Sequence, residues 1–127
     1  MTNFPLLSVF VPTYNGERYV REAIESVLDN GVANLEVVVV DDASTDATVA
    51  VVESIRHPDI RLAQDRHNVG VVATRRAGVP LLQGRYVALL DQDDIAVPGR
   101  FQAQLDRLET TGGPDILGGM VESFGTF

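Results

Sequence analysis

The chain has no cysteine and no lysine. Without cysteine there is no disulfide, no thiol nucleophile and no metal site built on thiolates, and a reducing compartment is permitted. Without lysine there is no Schiff base, and no phosphate loop of the kind that ends in Gly-Lys-Ser/Thr. Every fixed side-chain cation is an arginine, whose planar fork of donors suits phosphate and carboxylate. Carboxylates outnumber these arginines, leaving a net charge of −8. A general binder of nucleic-acid backbone would be basic, so no nucleic-acid partner is expected. No apolar run approaches the ~20 residues of a membrane span. The start, Met1-Thr2-Asn3-Phe4-Pro5, lacks the basic region and apolar core of a signal peptide. The expected location is the cytoplasm or the inner face of its membrane. The 127 residues are read as a single domain. A chain of this size buries roughly two thirds of its unfolded surface and needs no covalent staple.

What is present alternates between two periods. Leu7 to Val11 is apolar and β-prone and ends at Pro12, which predicts a first strand. From Glu17 to Asp29 the residues Val20, Ala23, Ile24, Val27 and Leu28 recur at helical spacing, stopped by Asn30-Gly31. Leu35 to Val40 holds four consecutive valines, the pattern of a parallel strand covered on both faces. A helix through Val49, Val52 and Ile55 follows, with Ser44 or Thr45 as its expected cap. Ile60 to Ala63 predicts a third strand and Val71 to Gly78 a short helix carrying Arg75 and Arg76. Tyr86 to Leu90 predicts a fourth strand, buried. Pro98 to Thr111 predicts a helix with Phe101, Leu105 and Leu108 on one face, and Asp115 to Phe124 a final strand. Alternating strands and helices imply right-handed crossovers: an α/β, Rossmann-like, mostly parallel sheet with helices on both faces.

Parallel strands end at one edge, and ligands bind there where the strand order reverses. Three polar clusters fall on that edge: Thr13-Tyr14-Asn15 after strand 1, Asp41-Asp42 after strand 2, and Asp91-Gln92-Asp93-Asp94 after strand 4. An assumed order of 3-2-1-4 puts strands 2 and 4 ~10 Å apart. A nucleoside diphosphate fits that span. An acceptor-only carboxylate, Asp41 or Asp42, matches a ribose diol. Partners near Thr13 and Tyr14 match a base edge. Asp91 and Asp93 can share a divalent cation with hard oxygen ligands, Mg²⁺ or Mn²⁺, helped at the diphosphate by Arg75. Each feature also has a plainer reading. Asp41 and Asp42 can serve a turn, and Asp93 or Asp94 can cap the helix after Pro98. Tyr14 can pack into the core and Arg75 can be a surface charge. His57 and His67 have no partner at metal-ligand spacing and are expected in solvent.

The segments Val11-Pro12-Thr13-Tyr14-Asn15, Val39-Val40-Asp41-Asp42-Ala43-Ser44-Thr45-Asp46, Asn68-Val69-Gly70 and Leu90-Asp91-Gln92-Asp93-Asp94, with Pro98 beyond, occur in this order. Together they resemble the N-terminal half of a family 2 glycosyltransferase of the A-type fold. The resemblance spans nearly the whole chain. It implies transfer of a sugar from a nucleotide-diphosphate sugar, commonly a UDP-sugar, with inversion at the anomeric carbon. It implies a donor-binding role for the segment Pro12 to Asn15, with Thr13, Tyr14 and Asp42 around the nucleoside and Asp41 beside them. Asp91-Gln92-Asp93 takes the place of the family's Asp-x-Asp motif, with Asp93 the direct metal ligand. Arg75 falls where an arginine near the diphosphate is common. Arg76 departs from the pattern, in which an asparagine is common.

In that family the general base and the acceptor surface lie well beyond the Asp-x-Asp motif, whereas only about thirty residues follow it here. The expectation is a donor-binding half with no assignable base, for an unidentified sugar, lipid or protein acceptor. The open final strand suggests a homodimer through strand addition. Two other readings compete. One is a non-catalytic nucleotide-sugar binding or assembly module. The other is a phosphatase-like phosphotransferase using Asp91 and Asp93, which the absence of lysine and the position of the motif on strand 4 disfavour.

Overall fold

The computed structural model describes residues 3–125. Four strands, β1 (Leu7–Thr13), β2 (Leu35–Asp41), β3 (Ile60–Gln64) and β4 (Tyr86–Leu89), alternate with four helices. The helices are α1 (Val20–Leu28), α2 (Thr48–Ser54), α3 (Val71–Gly78) and α4 (Arg100–Leu108), and a single 3-10 turn, Val79–Leu81, follows α3. All strand pairs are parallel, in the order β3-β2-β1-β4. The order assumed from the sequence is the order found.

The two inner strands are buried at every position. Valine suits such a site, because its branched side chain packs on a pleated surface and loses little rotamer freedom there. On one face Val9, Val11, Val37 and Val39 pack against Val20, Ile24 and Val27 of α1, Val52 of α2, and Phe101 and Leu105 of α4. On the other, Phe10, Val38 and Val40 form a smaller cluster with Leu82 and Ala63. The fold is thus the expected doubly covered sheet.

Three expectations are corrected. Residues 115–124 form no strand. The run is apolar, but it pairs with no strand: beside β1, β4 itself takes that place. The argument for a dimer through that strand falls with it. β4 is an edge strand and is not fully buried, since Val87 and Leu89 are each 52% exposed while Tyr86 and Ala88 face the core. Neither Ser44 nor Thr45 caps α2. Ala47 stands at the cap position and offers no side-chain bond, while Asp46 just ahead of it accepts from the Thr48 N–H at 2.9 Å and from the Thr48 hydroxyl. The first and last helices are also shorter than the periodicity suggested, starting at Val20 and Arg100.

A buried polar network sets the start of β4. The Glu36 side chain accepts from the Ser8 hydroxyl at 2.6 Å and from the Gln83 N–H at 2.8 Å, and lies 3.2 Å from Arg61 Nε. Ser8 Oγ in turn accepts from the Gly84 N–H at 2.7 Å. A Cβ on Gly84 would lie 2.4 Å from the Ser8 nitrogen, so this approach of two backbones requires glycine.

Candidate functional site

The carboxyl ends of β1, β2 and β4 open into one cleft of about 540 Å³. Of the residues singled out in the sequence, Pro12, Thr13, Tyr14, Asp42, Arg75, Asp91, Gln92 and Asp93 line it. Asn15 and Asp41 do not.

The reason lies in the two-residue period of a strand. Asp41 turns inward, 1% exposed. It accepts from the Thr13 hydroxyl at 2.8 Å, the Ser44 N–H at 2.9 Å and the Ser44 hydroxyl at 2.6 Å. It therefore ties the end of β1 to the turn after β2 and keeps Thr13 in place. Asp42 turns the other way, into the cleft. Its two carboxylate oxygens accept the N–H groups of Val69 and Gly70 at 2.7 and 2.8 Å. Those donors sit at the start of α3, where the helix dipole favours a negative charge. Gly70 holds φ at 87°, a left-handed backbone that glycine adopts freely.

Asn15 is likewise a brace. It sits at φ 47° and its side-chain oxygen accepts from the Thr45 N–H at 2.8 Å, while its own N–H donates to Ser44 Oγ at 2.9 Å. Gln92 reaches across from β4 to clamp Tyr14: Tyr14 N–H donates to Gln92 Oε1 and Gln92 Nε2 donates to the Tyr14 carbonyl, both at 2.9 Å. With its backbone held at both ends, Tyr14 presents a 45% exposed ring at the cleft. Such a ring can stack on a planar base.

The acidic end of β4 is exposed. Arg75 Nη2 meets Asp91 Oδ1 at 2.7 Å. Asp93 makes no ion pair among the described residues. Burial, and then the charges of Asp93 and Asp91, push the Asp94 carboxyl above its usual value, against the pull of Arg100. Asp91, Asp93 and Asp94 thus crowd carboxylate groups at this strand end, an arrangement that fits a cation. The donor set is hard carboxylate oxygen, which suits Mg²⁺ or Mn²⁺. Among the described residues no three His, Cys, Asp or Glu side chains converge on one point, so further ligands would have to come from water or a bound anion. His57 and His67 are exposed, as expected.

At the neighbouring turn, burial raises the Asp46 carboxyl, but hydrogen bonds from the Thr48 hydroxyl, the Thr48 N–H and the Glu17 N–H outweigh it and hold the group below its ordinary value of 3.8. Asp46 therefore binds its proton less tightly folded than unfolded. Its contribution is complete above that ordinary value and is lost as pH falls through the lowered folded one. Thermal melting from about pH 5 down to about pH 3 is expected to narrow the gap between the native chain and Asp46→Asn. A constant gap would assign no linkage to Asp46.

Sequence reasoning missed two contributors. Thr74 lines the cleft, 1% exposed, with a hydroxyl that has no partner among the described residues. A threonine in a short helix carries no marker of that placement. Asn30, read only as a helix stop, donates to the carbonyl of Val97 at 2.9 Å and accepts from the Phe101 N–H at 3.1 Å. It thereby fixes the segment running from the β4 acidic end into α4.

The family model of glycosyl transferase family 2 matches residues 8–126. An uncharacterized glycosyltransferase of Haemophilus influenzae is 35% identical over 124 residues, which are 96% of this chain and 38% of that protein. Among solved structures, S. aureus TarS 1-349 in complex with UDP-GlcNAc superposes with a TM-score of 0.77 at 32% identity, covering 81% of this chain and 31% of that one. The mannosyltransferase PcManGT from Pyrobaculum calidifontis, in complex with GDP-Man and Mn²⁺, gives 0.75 at 29% identity, covering 85% and 33%. The chain thus spans less than half the length of each of these proteins. With the strand order, the cleft at the carboxyl edge and a family match over nearly its whole length in agreement, the chain belongs to glycosyl transferase family 2.

Proposed function

We propose that this chain is the donor-binding part of a glycosyltransferase. It holds a nucleotide-diphosphate sugar, with a UDP-sugar the first candidate, together with Mn²⁺ or Mg²⁺, for transfer to an acceptor with inversion. One observation carries this reading. A single cleft collects an exposed aromatic ring (Tyr14), a buried carboxylate (Asp42), an arginine (Arg75) and two exposed carboxylates (Asp91 and Asp93) from different elements. These are the groups that a base, a ribose, a diphosphate and a cation each require. The UDP-GlcNAc in TarS and the GDP-Man and Mn²⁺ in PcManGT support the ligand class.

The geometry and the family resemblance support the following roles. Tyr14 gives the base a face on which to stack. Thr13, held by Asp41, and the loop 68–70, held by Asp42, shape the nucleoside end. Arg75 binds phosphate oxygens. Asp91-Gln92-Asp93 acts as the Asp-x-Asp motif, with Asp93 the direct cation ligand and Gln92 the positioning residue for Tyr14. Held by Asp93 and Asp91, a divalent cation would supply positive charge against the departing diphosphate. No residue of this chain is assigned as the base for the acceptor hydroxyl.

Calorimetry tests the reading. UDP is expected to bind at least tenfold tighter with Mn²⁺ than with chelator, and Asp93→Ala to remove that difference while Asp46→Ala preserves it. Equal affinity with metal and with chelator would refute the donor site. Equal effects of the two variants would move the metal elsewhere.

A further inference from the structure

We infer that Arg75 latches the cation site shut until a diphosphate arrives, so that divalent cation and nucleotide each favour the other's binding. The inference rests on the donor-site reading and adds a coupling to it.

Asp91 and Asp93 are the carboxylates available to a cation in the cleft, yet Asp91 Oδ1 already meets the Arg75 guanidinium at 2.7 Å. A divalent cation at Asp91 must displace that guanidinium or sit beside it, and like charges so close oppose each other. The cation would also be short of ligands. Two carboxylates do not fill a shell of six oxygens, and among the described residues no third acidic or histidine ligand converges there. Water can fill part of the shell, but a diphosphate answers both deficits at once. A diphosphate offers oxygens to the metal, and offers the guanidinium a better partner than Asp91, because a phosphate matches its fork of donors.

The structure also gives Arg75 a reason to change partner. Its Nε is buried and has no hydrogen-bond acceptor among the described residues, so the Asp91 pair leaves its donors incompletely used. The latch spans two elements fixed independently. Arg75 stands on α3, which the Asp42 carboxylate holds at Gly70. Asp91 follows β4, which Gln92 holds to Tyr14. The pair can therefore open by rotation of a half-exposed side chain while α3 and β4 stay in place.

Titration of the chain with Mn²⁺, read from the electron paramagnetic resonance signal of the free ion, tests this with and without UDP. The native chain is expected to bind Mn²⁺ alone weakly and at least tenfold tighter with UDP. By reciprocity Mn²⁺ tightens UDP by the same factor. Arg75→Met is expected to bind Mn²⁺ alone up to about fivefold tighter, the range of an exposed ion pair. The UDP-induced gain then shrinks by the same factor. Arg75→Lys, which keeps the charge, stays near the native value for Mn²⁺ alone. If Arg75→Met, melting normally, binds Mn²⁺ alone no tighter than the native chain while UDP still tightens Mn²⁺ in the native chain, there is no latch. If UDP leaves Mn²⁺ affinity unchanged in the native chain, the donor site itself is wrong and the latch goes with it.

Discussion

Glu36→Ala is expected to cost about 2–3 kcal/mol of folding stability, chiefly because the donors it accepts from lose their acceptor. Glu36 is 6% exposed on a central strand, and three groups depend on it. The buried Ser8 hydroxyl would lose its acceptor, at about 1–3 kcal/mol before relaxation, and the partly buried Gln83 N–H would lose one that water replaces only in part. Arg61 loses its carboxylate but is 41% exposed and can turn to water, so its share is small. The melting temperature should fall by roughly 10 °C. Glu36→Gln keeps one acceptor oxygen for Ser8 and Gln83 and should cost only about 1 kcal/mol. Urea unfolding of both variants checks the ranking. If alanine and glutamine cost the same, the network is not what holds Gln83 and Gly84. The consequence reaches the far end of the sheet. Gln83 and Gly84 lead into β4, and the register of β4 against β1 decides where Asp91 and Asp93 emerge.

Much of this was legible because the relevant physics is local. The valine run of β2 and the polar clusters after Val11, Val40 and Leu90 mark strand ends through composition alone, and α/β alternation brings those ends to one edge. What was not legible depends on partners far away in sequence. Asp41 and Asp42 look alike on paper. Only the pleat separates them, sending one to Thr13 and Ser44 and the other to Val69 and Gly70. Gln92 reads as the spacer between two aspartates, yet its amide spans 78 residues to hold Tyr14. Asn30 reads as a stop and joins α1 to the segment before α4. The run 115–124 shows the opposite failure. Its composition favours a strand, but pairing needs a neighbouring edge, which composition cannot supply.

Asp42→Asn is expected to weaken UDP–Mn²⁺ binding about 30-fold, close to 2 kcal/mol. The substitution keeps size and shape, so the effect must come from hydrogen bonding. Both carboxylate oxygens accept backbone N–H groups, at 2.7 and 2.8 Å. An amide turns one acceptor into a donor facing another donor. It also removes a negative charge from the start of α3, where the helix dipole favours one. One charge-assisted hydrogen bond is lost outright and the other weakened, at about 1.5–3 kcal/mol for the pair. The loss falls on the loop 65–70 and the first turn of α3, from which Gly70, Val71 and Thr74 line the cleft. Hydrogen exchange separates this route from simple loss of a ligand contact. If Asp42 works through the loop, the amides of Val69 and Gly70 exchange much faster in the variant before any nucleotide is added. If those amides stay protected while affinity falls, Asp42 acts on the nucleotide directly. If affinity is unchanged, the nucleoside does not lie at the end of β2. Arg75 sits one turn further along α3, so the same variant loosens the helix that carries the latch. Metal affinity measured without nucleotide should then rise slightly as nucleotide affinity falls, a pairing that general destabilisation does not produce.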